Sequence, residues 1–196
     1  MKKCFIISFV LIFFIFNSFG QSFYGIKGGL TLGKINTGLE IPESVERKCR
    51  NGFVFGGFVI LDVNDSLQVQ TELLYTLKGE HFESDPYDEE VNITAIELPV
   101  LLKYRIIQNI AIYGGISFNY LLSSEYDRDD FSEPIDLLDN NLMKNTGYGV
   151  SFGAQFLITK ILLDIRYDLG ISDYDDGFWD EEIKLNTIYL TAGYLF

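Results

Sequence analysis

The chain has 196 residues, of which 47% are hydrophobic and 15% aromatic, with a formal net charge of -13. This apolar content is too high for a disordered acidic chain, and the length predicts one domain. The acidity excludes nucleic acid as a partner, because binding it needs Lys and Arg to neutralise the phosphates.

Residues 1–20 are predicted to be a signal peptide that is cleaved before Gln21. Two lysines precede an apolar run over residues 4–16, which contains one polar residue, Ser8, and small residues precede the cleavage point. At about 1.5 Å per residue, this run is too short to cross a hydrocarbon core of about 30 Å. Residues 21–196 are therefore expected to be exported as one domain, in which the remaining cysteine, Cys49, has no disulfide partner.

The rest of the chain alternates between apolar and polar residues with period two, which is typical of β-strands with one apolar face. No apolar stretch after the signal peptide is long enough for a membrane-spanning helix. The alternation predicts eight strands, at residues 23–33, 53–62, 66–78, 93–106, 110–122, 146–158, 161–171 and 187–196.

The connections between these strands alternate between short and long. Those after the second, fourth and sixth strands are short (63–65, 107–109 and 159–160), and two of them carry the Asn and Asp residues typical of hairpin turns. An up-and-down topology then places all the long connections at one end. Outer-membrane barrels have this asymmetry, with short periplasmic turns and long external loops.

The apolar and polar residues separate onto two faces in most strands. In the strand over 161–171, Leu163 and Ile165 lie on one face, whereas Asp164 and Arg166 lie on the other. Taken together, the apolar faces carry far more large side chains than the roughly a dozen that fill an eight-stranded barrel. The polar faces are rich in glycine, as a crowded lumen requires. The apolar faces are therefore predicted to contact lipid.

Two strands carry further information. Residues 53–62 are apolar on both faces, so the pattern does not assign their register. The final strand ends at Phe196, with Tyr194 on the same face, and an aromatic carboxyl terminus is the form in which outer-membrane barrels present their last strand to the assembly machinery. Tyr194 and Phe196 are therefore predicted to be an assembly signal. The expected fold is an all-β, eight-stranded antiparallel up-and-down transmembrane β-barrel.

Several short motifs follow one another through the mature chain in an order that resembles the PorT-like outer-membrane β-barrel family of Gram-negative bacteria. They lie at residues 25–30, 67–79, 96–104, 113–115, 163–170 and 193–196. The resemblance implies an integral outer-membrane barrel with eight strands. It implies no enzymatic activity and no common substrate.

The predicted lumen face carries five cations and four carboxylates, which nearly cancel. We interpret them as a network of ion pairs that fills the interior, since paired charges are tolerated there and unpaired ones are costly. The alternative is a charged path for small solutes, which needs an open gap. The residues are Lys27, Lys78, Lys103, Arg105 and Arg166, with Glu72, Glu97, Asp164 and Asp168. Pro99 interrupts a strand of this face, and a local bulge is expected there.

The loops offer little support for chemistry. His81 is the only histidine and lies near Glu80 and Glu83, so a hydrolase at the outer rim is conceivable, but the spacing does not support a triad. Residues 173–177 resemble a calcium loop whose glycine falls one position early, so only weak cation affinity is expected. No catalytic residue, cofactor or resident metal is predicted.

The predicted loops over 79–92, 123–145 and 172–186 carry formal charges of -6, -5 and -5. They form an acidic, aromatic-containing surface outside the cell, either a solubilising canopy bridged by divalent cations to lipopolysaccharide or a docking surface for a cationic protein. We expect a monomeric, non-enzymatic outer-membrane protein with a structural or surface-interaction role. The alternatives are a narrow porin-like channel and a rim hydrolase.

Overall fold

The computed structural model describes residues 22–37, 46–84, 87–128, 135–138, 140, 142–176 and 182–196, and the predicted signal peptide lies outside them. No helix in these residues is long and apolar enough to cross a membrane. The strands are β1 (Ser22–Thr37), β2 (Glu46–Asp62), β3 (Leu67–Ser84), β4 (Tyr87–Ile107), β5 (Ile110–Arg128), β6 (Ile135–Asp136), β7 (Thr146–Ile158), β8 (Ile161–Gly170) and β9 (Ile183–Leu195).

Eight of these strands close into an antiparallel barrel. The order around the barrel is β1, β2, β3, β4, β5, β7, β8 and β9, and β9 pairs with β1 to complete the ring. The two-residue strand β6 only extends the edge of β5. Closure gives every strand of the ring a hydrogen-bonded neighbour on both sides, which a bilayer requires because it offers the backbone groups no water. The predicted all-β, eight-stranded architecture is confirmed.

Three tight connections lie together at one end of the barrel, which we call the turn end. They cover residues 63–66, 108–109 and 159–160. In the first, the Asn64 side chain accepts hydrogen bonds from the backbone N–H groups of Ser66 (3.0 Å) and Leu67 (2.8 Å), which fixes the reversal of the chain. The opposite end, which we call the loop end, holds the remaining connections.

The loop end contains more strand than the alternation predicts. Residues 79–92 were expected to be a loop, but β3 and β4 stay paired through them, from Gly79 opposite Asn92 to Ser84 opposite Tyr87. That expectation is wrong because strand pairing uses backbone hydrogen bonds, which acidic side chains do not prevent. The predicted loop over residues 123–145 is shortened in the same way, since β5 continues to Arg128.

The bulge expected at Pro99 is also absent. The register of β4 against β3 is the same on both sides of the proline, with Thr71 opposite Val100 and Leu74 opposite Glu97, and only the pairing between them is interrupted. Against β5, Pro99 keeps its place opposite Ser117. The missing N–H of Pro99 therefore interrupts the pairing with β3 locally, but no extra residue is inserted to form a bulge.

The barrel is apolar outside and polar inside. Along β8, Leu163 and Ile165 are 42% and 53% exposed, whereas Asp164 and Arg166 are 5% and 0% exposed. The strand over 53–62, whose register the sequence left open, directs Phe53, Phe55 and Val59 outward and Val54, Phe58 and Ile60 inward. Such an exterior is stable only against lipid.

The lumen is crowded where inward-facing glycines lie opposite large side chains. A Cβ atom on Gly25 would come within 2.6 Å of the Phe58 ring, and one on Gly153 would come within 2.6 Å of the Tyr113 ring. Both distances are too short for any residue with a side chain. The glycines therefore make room for the aromatic rings that fill the lumen.

Candidate functional site

A network of buried charged side chains crosses the middle of the lumen, and Arg166 lies at its centre. The Arg166 guanidinium is 2.9 Å from Glu72, 3.1 Å from Asp168 and 3.6 Å from Glu97. It also stacks on the ring of Tyr189, at 4.0 Å from the ring centroid. Arg166 is on β8 and Glu72 is on β3, four strands away in a ring of eight, so this ion pair spans the barrel.

Lys27 on β1 joins this centre to a second carboxylate. Its ammonium is 2.8 Å from Glu72 and 3.0 Å from Asp164. Asp164 in turn accepts hydrogen bonds from the Tyr113 hydroxyl, at 2.7 Å, and from the Thr191 hydroxyl, at 3.3 Å. Each buried charge in this group therefore has an opposite charge or a hydrogen-bond donor beside it, as buried charges require.

Glu97 on β4 forms the third part of the network. Its carboxylate is 2.7 Å from the Lys78 ammonium and accepts a hydrogen bond from the Tyr189 hydroxyl, which lies 2.8 Å from both carboxylate oxygens. Through Arg166, this group is continuous with the one around Glu72. We call the connected set the lumen network; it contains Lys27, Glu72, Lys78, Glu97, Asp164, Arg166 and Asp168.

The other two predicted lumen cations lie closer to the turn end. Lys103 donates to the Gln70 side chain at 3.0 Å and forms no ion pair within the described residues. Arg105 lies 3.3 Å from Asp62, a residue that the sequence analysis did not assign to the lumen. Alternation also places Gln70 on the polar face, so its position was available from the pattern, although its contacts were not.

A cluster of apolar side chains closes the loop end, and period-two alternation does not predict it. Inward-facing residues of β4, β5 and β9 pack against Leu137 and Met143, which lie between β5 and β7, and against Tyr174, which lies between β8 and β9. We call this cluster the apolar cap. Leu137, Leu138, Leu142 and Met143 are apolar within a strongly acidic segment, and that contrast was the available signal.

The acidic residues near the cap are only partly available to a partner. Asp175 is 5% exposed. Asp173 accepts backbone hydrogen bonds from Ile183 (2.8 Å) and Asp175 (3.0 Å). Slight burial acts to raise the pKa of Asp173, but these two N–H groups, with the charges of Lys144 and Lys184, outweigh it and lower the pKa. Asp173 therefore holds the connection together, while Asp176 is exposed.

Three residues considered in the predicted loops lie partly or wholly outside the described residues. The backbones of Cys49 and His81 belong to β2 and β3, but their side chains lie outside the described part of the chain, as does Gly177 of the calcium-like segment. In the part that is described, no group of three or more His, Cys, Asp or Glu residues could hold a metal ion.

A closed eight-stranded barrel with an apolar exterior and a charged interior defines an integral outer-membrane β-barrel. The sequence profile of one family, described as outer membrane protein beta-barrel domain, matches residues 19–176. The chain belongs to this family, which places it in the outer membrane. In barrels of this class, short turns face the periplasm and long loops face outward.

Solved structures have the same fold. Ail, the attachment invasion locus protein of Yersinia pestis, is 16% identical, with a TM-score of 0.54 over 90% of this chain and 100% of that chain. Neisserial surface protein A is 14% identical, with a TM-score of 0.54 over 90% of this chain and 98% of that one. At these identities the likeness shows the fold alone. No curated protein matches the sequence.

Proposed function

We propose that the protein is a non-enzymatic, non-conducting barrel that anchors a recognition surface outside the cell. The observation that carries this proposal is the ion pair between Arg166 and Glu72, which joins opposite walls of the lumen. Arg166, Glu72 and Glu97 are each almost fully buried. A solute path would need a gap through them, and hydrated ions do not pass a packed, paired charge network.

The apolar cap supports the same conclusion from the other end. Tyr174 and Met143 fill the outer mouth of the lumen, so two successive layers of different chemistry close the barrel. The function is then assigned to the outer surface, where the β3–β4 hairpin extends beyond the cap. Residues 81–90, which include the paired ends of β3 and β4, carry a formal charge of -5.

We infer that this hairpin docks a cationic partner on the cell surface. Acidic charge steers a cationic protein during association, and the effect weakens as salt shortens the screening length below about 8 Å. The same charge can bind divalent cations that bridge to lipopolysaccharide. The two roles differ in their need for a specific protein.

We also infer the route to the membrane. The chain is exported with residues 1–20 removed, and the barrel is inserted as a monomer by the assembly machinery. The outward-facing pair Tyr194 and Phe196, with ring centroids 5.6 Å apart at the end of β9, supports the role of this strand as the assembly signal. The resemblance to the PorT-like family supports the same route, because that family consists of integral outer-membrane barrels.

Two experiments test the proposed function. In planar lipid bilayers, the purified barrel is expected to show no unitary conductance under conditions in which a general porin conducts. Discrete conductance steps that disappear when the protein is omitted would contradict a closed lumen.

The second experiment concerns the hairpin. Because β3 and β4 pair residue by residue, replacing residues 81–90 by Asn-Gly shortens the hairpin in register and leaves Glu80 opposite Val91. The shortened barrel is expected to lose a cell-surface partner that the full barrel captures at low salt and releases at high salt. Capture that is equal for both forms would place recognition elsewhere.

A further inference from the structure

The turn end of the lumen contains a cavity of about 410 Å³, which lies between the turns at residues 108–109 and 159–160. Sites for small molecules usually have volumes of about 300–1,000 Å³ and are mostly apolar, with a few polar groups. Because the lumen network and the apolar cap close the described barrel above it, this cavity opens toward the periplasm.

One wall of the cavity is apolar. Ile60, Leu162 and Leu195 are buried and form a single cluster with Leu157, and Phe23 contributes to the lining near the mouth. These inward-facing side chains come from β2, β8, β9, β7 and β1. The cavity therefore offers an aliphatic and aromatic surface to whatever enters it.

The other wall is polar and cationic. Lys103 is 3% exposed, and its ammonium has three donors, of which one goes to Gln70. Gln155 is 3% exposed, and neither its amide nitrogen nor its carbonyl oxygen has a hydrogen-bond partner within the described residues. Buried polar groups of this kind are usually satisfied. A polar ligand group beside them would supply the missing partners.

The charged side chains of the lining favour one sign for that group. Lys103, Arg105 and Lys160 line the cavity, and no Asp or Glu side chain does. Arg105 is partly neutralised by Asp62, whereas Lys103 forms no ion pair within the described part of the chain. An anionic group is therefore favoured over a neutral or cationic one.

We propose that this cavity is a periplasm-facing binding site for a small organic anion, namely a carboxylate with a short apolar tail. The carboxylate accepts hydrogen bonds from the Lys103 ammonium and the Gln155 amide nitrogen, and the tail packs on Ile60, Leu162 and Leu195. This site is independent of the proposed surface function, because it lies on the other side of the lumen network.

The test uses the full mature barrel in nanodiscs of zwitterionic lipid, so that no anionic lipid headgroup competes for the site. Binding of hexanoate labelled with ¹³C at the carboxyl carbon is followed by NMR, and empty nanodiscs serve as the blank. Hexanoate is expected to bind at least tenfold more tightly than hexanol, which lacks the charge, and acetate, which lacks the tail. Equal binding of hexanoate and hexanol would overturn the anion site.

Two variants locate the binding. Lys103→Met removes the charge and is expected to weaken hexanoate binding at least tenfold, whereas Lys184→Met, at the loop end, is the matched control and is expected to leave it unchanged. Leu162→Trp fills the cavity without altering its charge and is expected to abolish binding. Gln155→Leu replaces Lys103→Met if that variant does not fold, as judged by heat-modifiable gel mobility. Unchanged affinity in the folded cavity variants would overturn the proposal.

Discussion

At the scale of single residues, Glu97 joins three buried side chains of the lumen. Its carboxylate lies beside Lys78 and Arg166 and accepts a hydrogen bond from the Tyr189 hydroxyl. Glu97→Gln would remove the carboxylate beside the buried Lys78 ammonium and one of the three carboxylates around Arg166, and breaking a buried ion pair costs about 3–5 kcal/mol. We expect a loss of this size in the free energy of unfolding, measured by urea titration of the barrel in lipid bilayers.

Glu125→Gln is the matched control for that substitution, because Glu125 is an exposed residue of β5. The expected change there is within about 0.5 kcal/mol. If Glu97→Gln were equally mild and altered the ion selectivity of a bilayer current, Glu97 would line an open path and the closed lumen would be wrong.

Gly153 tests the packing of the lumen. A methyl group there would overlap the Ile165 carbonyl oxygen and the side chain of Tyr113, whose hydroxyl is bound to Asp164, so Gly153→Ala is expected to cost about 1–3 kcal/mol of unfolding free energy. Gly114 points outward, and the nearest atom to a Cβ at that position is 3.9 Å away. Gly114→Ala should therefore be nearly neutral in the same titration. Equal losses at both sites would mean that strand propensity, and not crowding, decides the effect.

At the scale of the elements, the eight strands could be predicted from period-two alternation, and their ends at the loop side could not. Acidic residues such as Glu83 and Glu89 look like loop residues, yet their backbones continue the β3–β4 ladder. Period-two alternation arises where one face of a strand contacts lipid and the other faces the lumen. Where both faces contact water, the alternation disappears and no longer predicts a strand. The strand ends beyond the membrane therefore depend on pairing, which a local pattern does not encode.

The connection between β8 and β9 has its own pH dependence. Because the pKa of Asp173 is lowered by the N–H groups it accepts, its hydrogen bonds contribute their full stability above the ordinary value of 3.8. That contribution is lost as the pH falls through the lower pKa of the folded protein. We expect the amide NMR shifts of Asp175 and Ile183 to titrate together, with a midpoint below 3.8.

Asp173→Asn supplies the control, because an amide side chain does not titrate in this range. In that variant the two amide shifts should lose their common acidic transition. A transition that survives the substitution would assign the titration to another carboxylate of the connection.

At the scale of the whole molecule, the outward face of the barrel depends on contact with lipid. Leu163→Arg would place a charge in the hydrocarbon region and is expected to cost about 2–4 kcal/mol of unfolding free energy in bilayers. Asp127→Arg, at an exposed position near the outer end of β5, should have little effect. A similar cost at both positions would show that the apolar face does not contact the membrane core.

The candidate site shows a different limit of sequence reasoning. Alternation places Arg166 and Glu72 on the polar faces of their strands, but they are 94 residues apart in sequence. Their contact depends on the stagger between eight tilted strands, which is a property of the closed ring. The residue types of the network could therefore be predicted, whereas its pairing, the apolar cap and the cavity at the turn end required the assembled barrel.

The closure of the ring by β1 and β9 brings the two ends of the barrel sequence side by side, and the backbone N–H of Phe196 donates to the carbonyl of Tyr24 at 3.0 Å. A short linker could join these ends, and the chain could be reopened at the turn between Gln108 and Asn109. This circular permutant keeps every strand neighbour and moves Phe196 into the interior of the sequence. It is expected to refold in lipid vesicles in vitro but to fail to reach the outer membrane in cells. Normal delivery of the permutant would show that a free aromatic terminus is not the assembly signal.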